Sequence, residues 1–211
     1  TERGDITCAV SDFRWAMKDV PALKEEPYTS SLDNFISKLE FQLAGYLPPF
    51  QEEKVMTTWA AMTKYLLKHP NFGGQLMNNE LWLPSVLNPI IKGATTQTER
   101  VEKIYEYLRD NVTCTRHSQL FTDESVSKIA DKKRGGVAGI NLLLTAMLRS
   151  AGLQAEPVVL STRENGIVND EYPVFRPFNY VICRVYADGK EWLLDASRSR
   201  LGFGRLHYDC Y

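Results

Sequence analysis

Arg134-Gly135-Gly136-Val137-Ala138-Gly139-Ile140-Asn141-Leu142-Leu143-Leu144-Thr145-Ala146-Met147-Leu148-Arg149-Ser150-Ala151-Gly152 is the stretch that decides how this chain is read. Apolar residues occupy nearly every side of a helix running from about 137 to 151, so that helix is expected at the centre of the fold. Gly152 stands where a left-handed C-terminal cap belongs. Gly135, Gly136 and Gly139 make the helix start glycine-rich, but no Lys-Ser or Lys-Thr follows, which argues against a phosphate loop. Close packing of the helix against neighbouring strands accounts for the glycines instead. Lys132-Lys133-Arg134 reads as a solvated turn before the helix.

Working outward, residues 156–162 form a β-rich run with an apolar centre, and 163–178 a long polar loop with two prolines. Residues 179–186 and 190–195 flank Asp188-Gly189, which suits a two-residue type I′ hairpin. That loop places Ile182 opposite Asp195. Tyr180 then shares a sheet face with Asp195, while Asn179 and Cys183 point the other way. Upstream, 98–111 predicts a helix with Val101, Ile104, Tyr105 and Leu108 on one face and Thr96 or Thr98 as its cap. Residues 51–69 predict another, with Val55, Trp59, Met62 and Leu66 at helical spacing, Glu52 and Glu53 at its positive end, and Pro70, Gly73 and Gly74 closing it. Residues 78–94 read as a short helix or turn region broken by Pro84 and Pro89. Residues 5–10 and 12–17 look like strand, and the alternation in 38–43 is that of a half-buried strand.

With 211 residues, 44% hydrophobic and 24% charged, the chain has ordinary globular composition, which excludes disorder, collagen-like and coiled-coil readings for its bulk. A formal net charge of -1 lacks the basic excess of a nucleic-acid binder, and no polybasic block would hold the chain on an anionic membrane. No apolar run reaches the length of a membrane span, the best being broken by Asn141 and Thr145. The chain starts at Thr1, which suggests a cropped or processed fragment, so the lack of a visible leader says nothing about compartment. Cys8, Cys114, Cys183 and Cys210 are too few and scattered for a disulfide framework, and none forms a C-x-x-C pair.

Three blocks agree in order and spacing: the Gly-flanked helix ending Leu-Arg-Ser-Ala-Gly-Leu-Gln-Ala, the strand Pro-Val-Val-Leu, and the hairpin ending Trp-Leu-Leu-Asp-Ala-Ser. Together they resemble the transglutaminase-like (papain-like cysteine protease) superfamily, in the version found in multidomain cell-envelope proteins of Bacteroidetes. The resemblance implies an α+β fold with helices packed on an antiparallel sheet. It also implies a boundary, with residues 1–49 as the tail of a preceding β-rich domain plus linker and 50–211 as the transglutaminase-like domain.

Active members of that family carry a Cys-His-Asp triad, with the cysteine at the helix N-terminus and the histidine and aspartate on the hairpin. The family's Gly-Asp-Cys falls on Gly135-Gly136-Val137, so Val137 replaces the nucleophile. Its Phe-Asn-His-Val-Ile strand falls on Phe178-Asn179-Tyr180-Val181-Ile182, so Tyr180 replaces the base. The aspartate is kept as Asp195. Valine has no nucleophilic chemistry, and a phenol of pKa near ~10 is a poor base at neutral pH. Neither Cys114, read as lying in a connector, nor Cys183, on the wrong face, is placed to substitute.

The resemblance therefore implies a non-catalytic module of a larger periplasmic or secreted envelope protein. It would bind an extended peptide or glycan in the vestigial groove, or support adjacent domains of the same chain. The alternatives are an active cysteine-type peptidase or protein-glutamine acyltransferase, and a purely architectural domain. No cofactor, metal, nucleic acid or membrane insertion is implied.

Other residues have plainer readings. Cys114 and His117 form a C-x-x-H spacing, but His69 and His207 lie far off in sequence, and a satisfied loop histidine is the simpler account. Tyr180 either lines a groove or packs on the sheet. Asp195 either accepts the Tyr180 hydroxyl or caps the following turn, the commoner use of an aspartate before Ala-Ser. Ser161, Thr162 and Arg163 end a strand where a ligand could be touched. Trp15, Trp59, Trp82 and Trp192 read as core or rim residues, with a sugar platform open for one of them.

Overall fold

The fold is that of a computed structural model, which describes residues 10–211 other than 25, 28, 30, 40, 49, 51, 52, 55–57, 78 and 80. In chain order the elements are strands β1 (Gly45–Tyr46) and β2 (Glu53–Lys54), helices α1 (Trp59–Lys68), α2 (Leu83–Ile91) and α3 (Gln97–Asn111), strand β3 (Thr113–Arg116), helix α4 (Val126–Lys132) and strand β4 (Arg134–Gly136). Helix α5 (Val137–Ser150) and strands β5 (Gln154–Leu160), β6 (Tyr180–Ala187) and β7 (Lys190–Leu194) follow.

Helix α5 is the centre the sequence calls for. Every residue from Val137 to Leu148 is buried. The helix packs on β5 and β6 and also touches α2, α3 and α4, so an antiparallel sheet carries helices in an α+β arrangement. Its end is a Schellman cap: Leu153 N–H donates to Leu148 O and Gly152 N–H to Arg149 O, both at 3.0 Å, with Gly152 at φ +79°.

The sheet has the order β5-β6-β7, antiparallel throughout. Asp188 and Gly189 both have positive φ, 49° and 76°, as a type I′ turn demands. Asp188 also accepts hydrogen bonds from Thr98 N and Oγ1 at 2.8 and 2.7 Å, tying the hairpin to the start of α3. The β6–β7 register runs from Ala187↔Lys190 to Cys183↔Leu194, so the next pair brings Ile182 opposite Asp195 as expected. Val181, Cys183 and Val185 enter the main core, whereas Tyr180 and Ile182 join Val137 in a second, smaller buried cluster.

Several expectations need correction. Helix α1 begins at Trp59 rather than near 51. The Thr58 hydroxyl accepts from Ala61 N–H and caps it there, while Glu53 pairs as strand with Tyr46; Glu52 and Val55 lie outside the described residues. Helix α2 runs through both prolines: Pro84 sits in the first turn, where its missing N–H has no partner to lose. Thr96, not Thr98, caps α3, in a capping box with Glu99. Residues 12–17 and the described part of 38–43 are not strands, and Phe13, Trp15, Leu39, Phe41 and Leu43 are exposed. Alternation specifies a sheet face only where a partner strand exists, and none pairs with them among the described residues. Residues 5–9 lie outside the described set.

Cys114 belongs to β3, which pairs in parallel with β4, rather than to a connector. Helix α4 was not legible as a helix at all. It supplies Ile129, whose side chain lies where a Cβ at Gly135 or Gly139 would go, so the glycines admit α4 rather than a strand.

Candidate functional site

The three positions picked out by the family resemblance meet in space. Val137 is the first residue of α5, after the N-cap Gly136, in a turn whose backbone N–H groups lack intrahelical partners. It packs with Tyr180 and Ile182, and Cys114, Leu206 and Cys210 close over that cluster. Val137, Tyr180 and Asp195 are each 0% exposed.

Asp195 sits one residue beyond β7 and accepts three hydrogen bonds from within the protein. Its Oδ2 accepts from Tyr180 Oη at 2.7 Å, and its Oδ1 from Asn141 Nδ2 and Ser197 N–H, each at 2.9 Å. Both readings of Asp195 therefore hold at once: it binds the tyrosine and caps the turn. Tyr180 packs inside rather than lining a groove. Its hydroxyl lies 3.2 Å from Ser197 Oγ and accepts from Arg198 Nε at 3.4 Å. Burial, then the charge of Asp195, pushes its phenol well above the ordinary value. A group so placed holds its proton and cannot serve as a base.

Asn141 is the residue the sequence reading passed over, noting it only as a break in an apolar run. It lies one turn below Val137. Its Nδ2 donates to Val181 O at 2.8 Å as well as to Asp195, and its Oδ1 accepts from Ala196 N–H at 2.9 Å. It thus clamps the central helix to β6 and to the segment just beyond β7. The available signal was a polar side chain inside a helix apolar all round, since a buried amide requires partners. Ser197, Arg198 and Gln119 were also missed. Gln119 presses against Gly136, with no room between them for a Cβ, and its buried Oε1 has no partner among the described residues.

Burial disfavours the thiolate at each described cysteine. Burial raises Cys114, whose Sγ lies 3.3 Å from Arg116 O, and pushes Cys183 and Cys210 up to about 12. Ser161, Thr162 and Arg163 tie the 161–179 loop and the C-terminal segment together: Ser161 Oγ donates to Gly166 O, Thr162 Oγ1 accepts from Asn179 Nδ2, and Arg163 N–H donates to Asp209 O. Trp59 donates to Asp170 O, Trp82 to Asn79, Trp192 stacks near Phe203, and Trp15 is exposed between Phe13 and Phe41. His69 accepts from Asn71 N–H and His207 from Asp209 N–H. Among the described residues no three His, Cys, Asp or Glu side chains converge as a metal site requires, and no helix is long and apolar enough to cross a membrane. Two clefts flank the buried network. One of about 620 Å³ has Cys114, His117, Ser197 and Arg198 in its wall; the other, of about 420 Å³, has Ser118, Thr162, Asn179 and Asp209.

This fold, a buried helix whose N-terminus abuts a hairpin carrying Asp195, is matched by the sequence profile of the transglutaminase-like superfamily over residues 84–194, and the chain belongs to that superfamily. Among solved structures it is similar to a candidate protease from Parabacteroides distasonis ATCC 8503, at 16% identity and a TM-score of 0.46. The likeness covers 66% of this chain and 26% of that one, so the chain spans about a quarter of that protein's length. None of the curated proteins matches it.

Proposed function

We propose that this chain is a non-catalytic transglutaminase-like module of a larger cell-envelope protein. In this reading positions 137, 180 and 195 of the ancestral triad have become part of the core, and the module supports neighbouring domains or holds an extended peptide or glycan. The observation that carries it is the closed network of Val137, Tyr180 and Asp195: an apolar side chain at the nucleophile position, a proton-holding phenol at the base position, and a buried aspartate engaged by three internal donors. The envelope setting rests on the sequence resemblance alone. The test is turnover. Transamidation of a glutamine-donor substrate and hydrolysis of casein should stay at the buffer rate, and turnover above buffer that disappears on mutating a single residue of this chain overturns the reading.

One observation favours a second reading, an active thiol enzyme. Cys114 does not lie remote from the site but packs against the Val137–Tyr180 cluster. Iodoacetamide labelling of the folded protein near neutral pH separates the two: fast, selective modification of Cys114 supports the enzyme, and uniform slow labelling of the native thiols supports the non-catalytic module.

A further inference from the structure

The cleft of about 620 Å³ beside the buried network shares Cys114 with the second reading, but it also carries a cationic wall that neither reading uses. None of positions 137, 180 and 195 lines it. Its wall carries three guanidinium groups, Arg109, Arg198 and Arg200, and two imidazoles, His117 and His207, against the single carboxyl of Asp110. That carboxyl is committed, since Arg109 grips it through Nε and Nη2 at 2.7 and 2.9 Å. Arg109 is held in place from below as well, its guanidinium 5.5 Å above the Tyr105 ring and its Nη1 donating to Leu201 O at 3.5 Å. Glu106 stands 3.7 Å from it on the exposed side.

The other two arginines are undersupplied with acceptors. Arg198 has two long contacts, its Nε donating to Tyr180 Oη at 3.4 Å and its Nη2 lying 3.9 Å from Asp209 Oδ2, and that carboxyl lies closer, at 3.0 Å, to His207. Arg200 makes no ion pair or hydrogen bond among the described residues. Burial first, and then the Arg198 charge, hold His117 below its ordinary value, with Asp195 acting the other way.

We propose that this cleft binds a phosphate-class oxyanion carried on a small organic body. Two guanidinium forks, two imidazoles and the Ser199 hydroxyl offer donors from several directions, more than the two oxygens of a carboxylate can accept and well matched to a tetrahedral oxyanion. A cleft of this volume falls within the range of about 300–1,000 Å³ typical of small-molecule sites, which leaves room for the body that carries the anion. The site stands whether or not the module retains thiol chemistry.

The test is a titration of the intact chain with inorganic phosphate near neutral pH, at ionic strength held constant with sodium chloride, following the histidine ring resonances by NMR. Saturable shifts of His117 and His207 are expected. Arg200→Ala, at an exposed residue with no ion pair or hydrogen bond among the described residues, should weaken binding roughly tenfold, the loss expected for one charge-assisted hydrogen bond. Acetate should bind more weakly than phosphate. Shifts no larger than chloride produces, an affinity unchanged by Arg200→Ala, or acetate binding as tightly as phosphate would each overturn the proposal.

Discussion

Tyr180 Oη donates to Asp195 Oδ2 at 2.7 Å across the mouth of the β6–β7 hairpin, with both residues wholly buried. In a nucleophile triad an imidazole would stand between this aspartate and the helix N-terminus, passing protons in one direction and hydrogen-bonding in the other. The phenol fills that space but has a single O–H, and it donates that one hydrogen bond to Asp195. Its ring meets Val137, so the contact on the helix side is apolar. The contact is a structural joint between the end of the hairpin and the cluster at the start of α5.

That joint should be measurable as stability. Tyr180→Phe leaves Asp195 Oδ2 without its donor inside the protein, at a cost of about 1–3 kcal/mol. Asn141→Leu removes the bonds to Val181, Asp195 and Ala196 together, and the loss should exceed that of Tyr180→Phe. Urea midpoints are the measurement. A Tyr180→Phe midpoint equal to that of the parent would show that the hydroxyl contributes no net support to the aspartate.

How much of this was legible in the sequence depends on where each interaction finds its partner. Helix α5, its Gly152 cap and the Asp188-Gly189 hairpin are local in cause: periodicity, a left-handed glycine and a turn dipeptide lie within a few residues of what they determine. The pairing of Tyr180 with Asp195 followed from parity across that turn, another short-range argument. Asn141 is different, because its partners lie 40 to 55 residues away and the chain carries no mark that joins them. Helix α4 was hidden for a similar reason, being one short element whose evidence is the space left by Gly135 and Gly139 elsewhere. In residues 38–43 the local signal pointed to a strand, but strand structure needs a neighbour and the period alone does not supply one.

The central position of α5 predicts large effects from truncation. Leu144 and Met147 are 0% and 1% exposed in the main core cluster. Leu144→Ala and Met147→Ala should each cost on the order of 2–5 kcal/mol, the range for buried side chains cut back to alanine. Denaturant midpoints check this, and values unchanged in both variants would mean that α5 is not the element around which the core is built.

The buried thiols and phenols make stability fall in alkali. Burial is the largest cause in each case: Cys183 and Cys210 are pushed up to about 12, Tyr105 to about 12, and Cys114 and Tyr180 upward. An unfolded cysteine ionises near ~8.5, so above that pH the unfolded chain has lost protons that the folded chain keeps. The unfolded state then binds fewer protons, the slope of stability against pH is negative, and the contribution present below roughly pH 8.5 is lost as pH climbs towards 12. Urea midpoints should decline across that window, and Cys183→Ala should make the decline shallower than in the parent. An equal decline in both would show that Cys183 is not the protected thiol its burial implies.

The assignment of residues 137 and 180 to one vestigial pair can be tested by rebuilding the pair. Val137→Cys would set a thiol in the first turn of α5, where unpaired N–H groups and the helix dipole favour an anion. In the single variant that thiol is enclosed by Ile182 and the Tyr180 ring, and burial disfavours the thiolate. With Tyr180 in place burial should prevail, leaving the thiol pKa at or above the free value of about 8.5. Adding Tyr180→His exchanges a phenol for a smaller ring that can carry a positive charge, with Asp195 already in position to hold it. The thiolate then gains a cation nearby, and its pKa should fall below that of the single variant by ~1 unit or more. Ultraviolet thiolate absorbance against pH, in a background with the four native cysteines replaced, reads both values, and iodoacetamide rates should rise in parallel. If the double variant titrates with the single one, residue 180 does not face residue 137 closely enough to exchange charge with it, and the descent of this joint from a catalytic triad has to be given up.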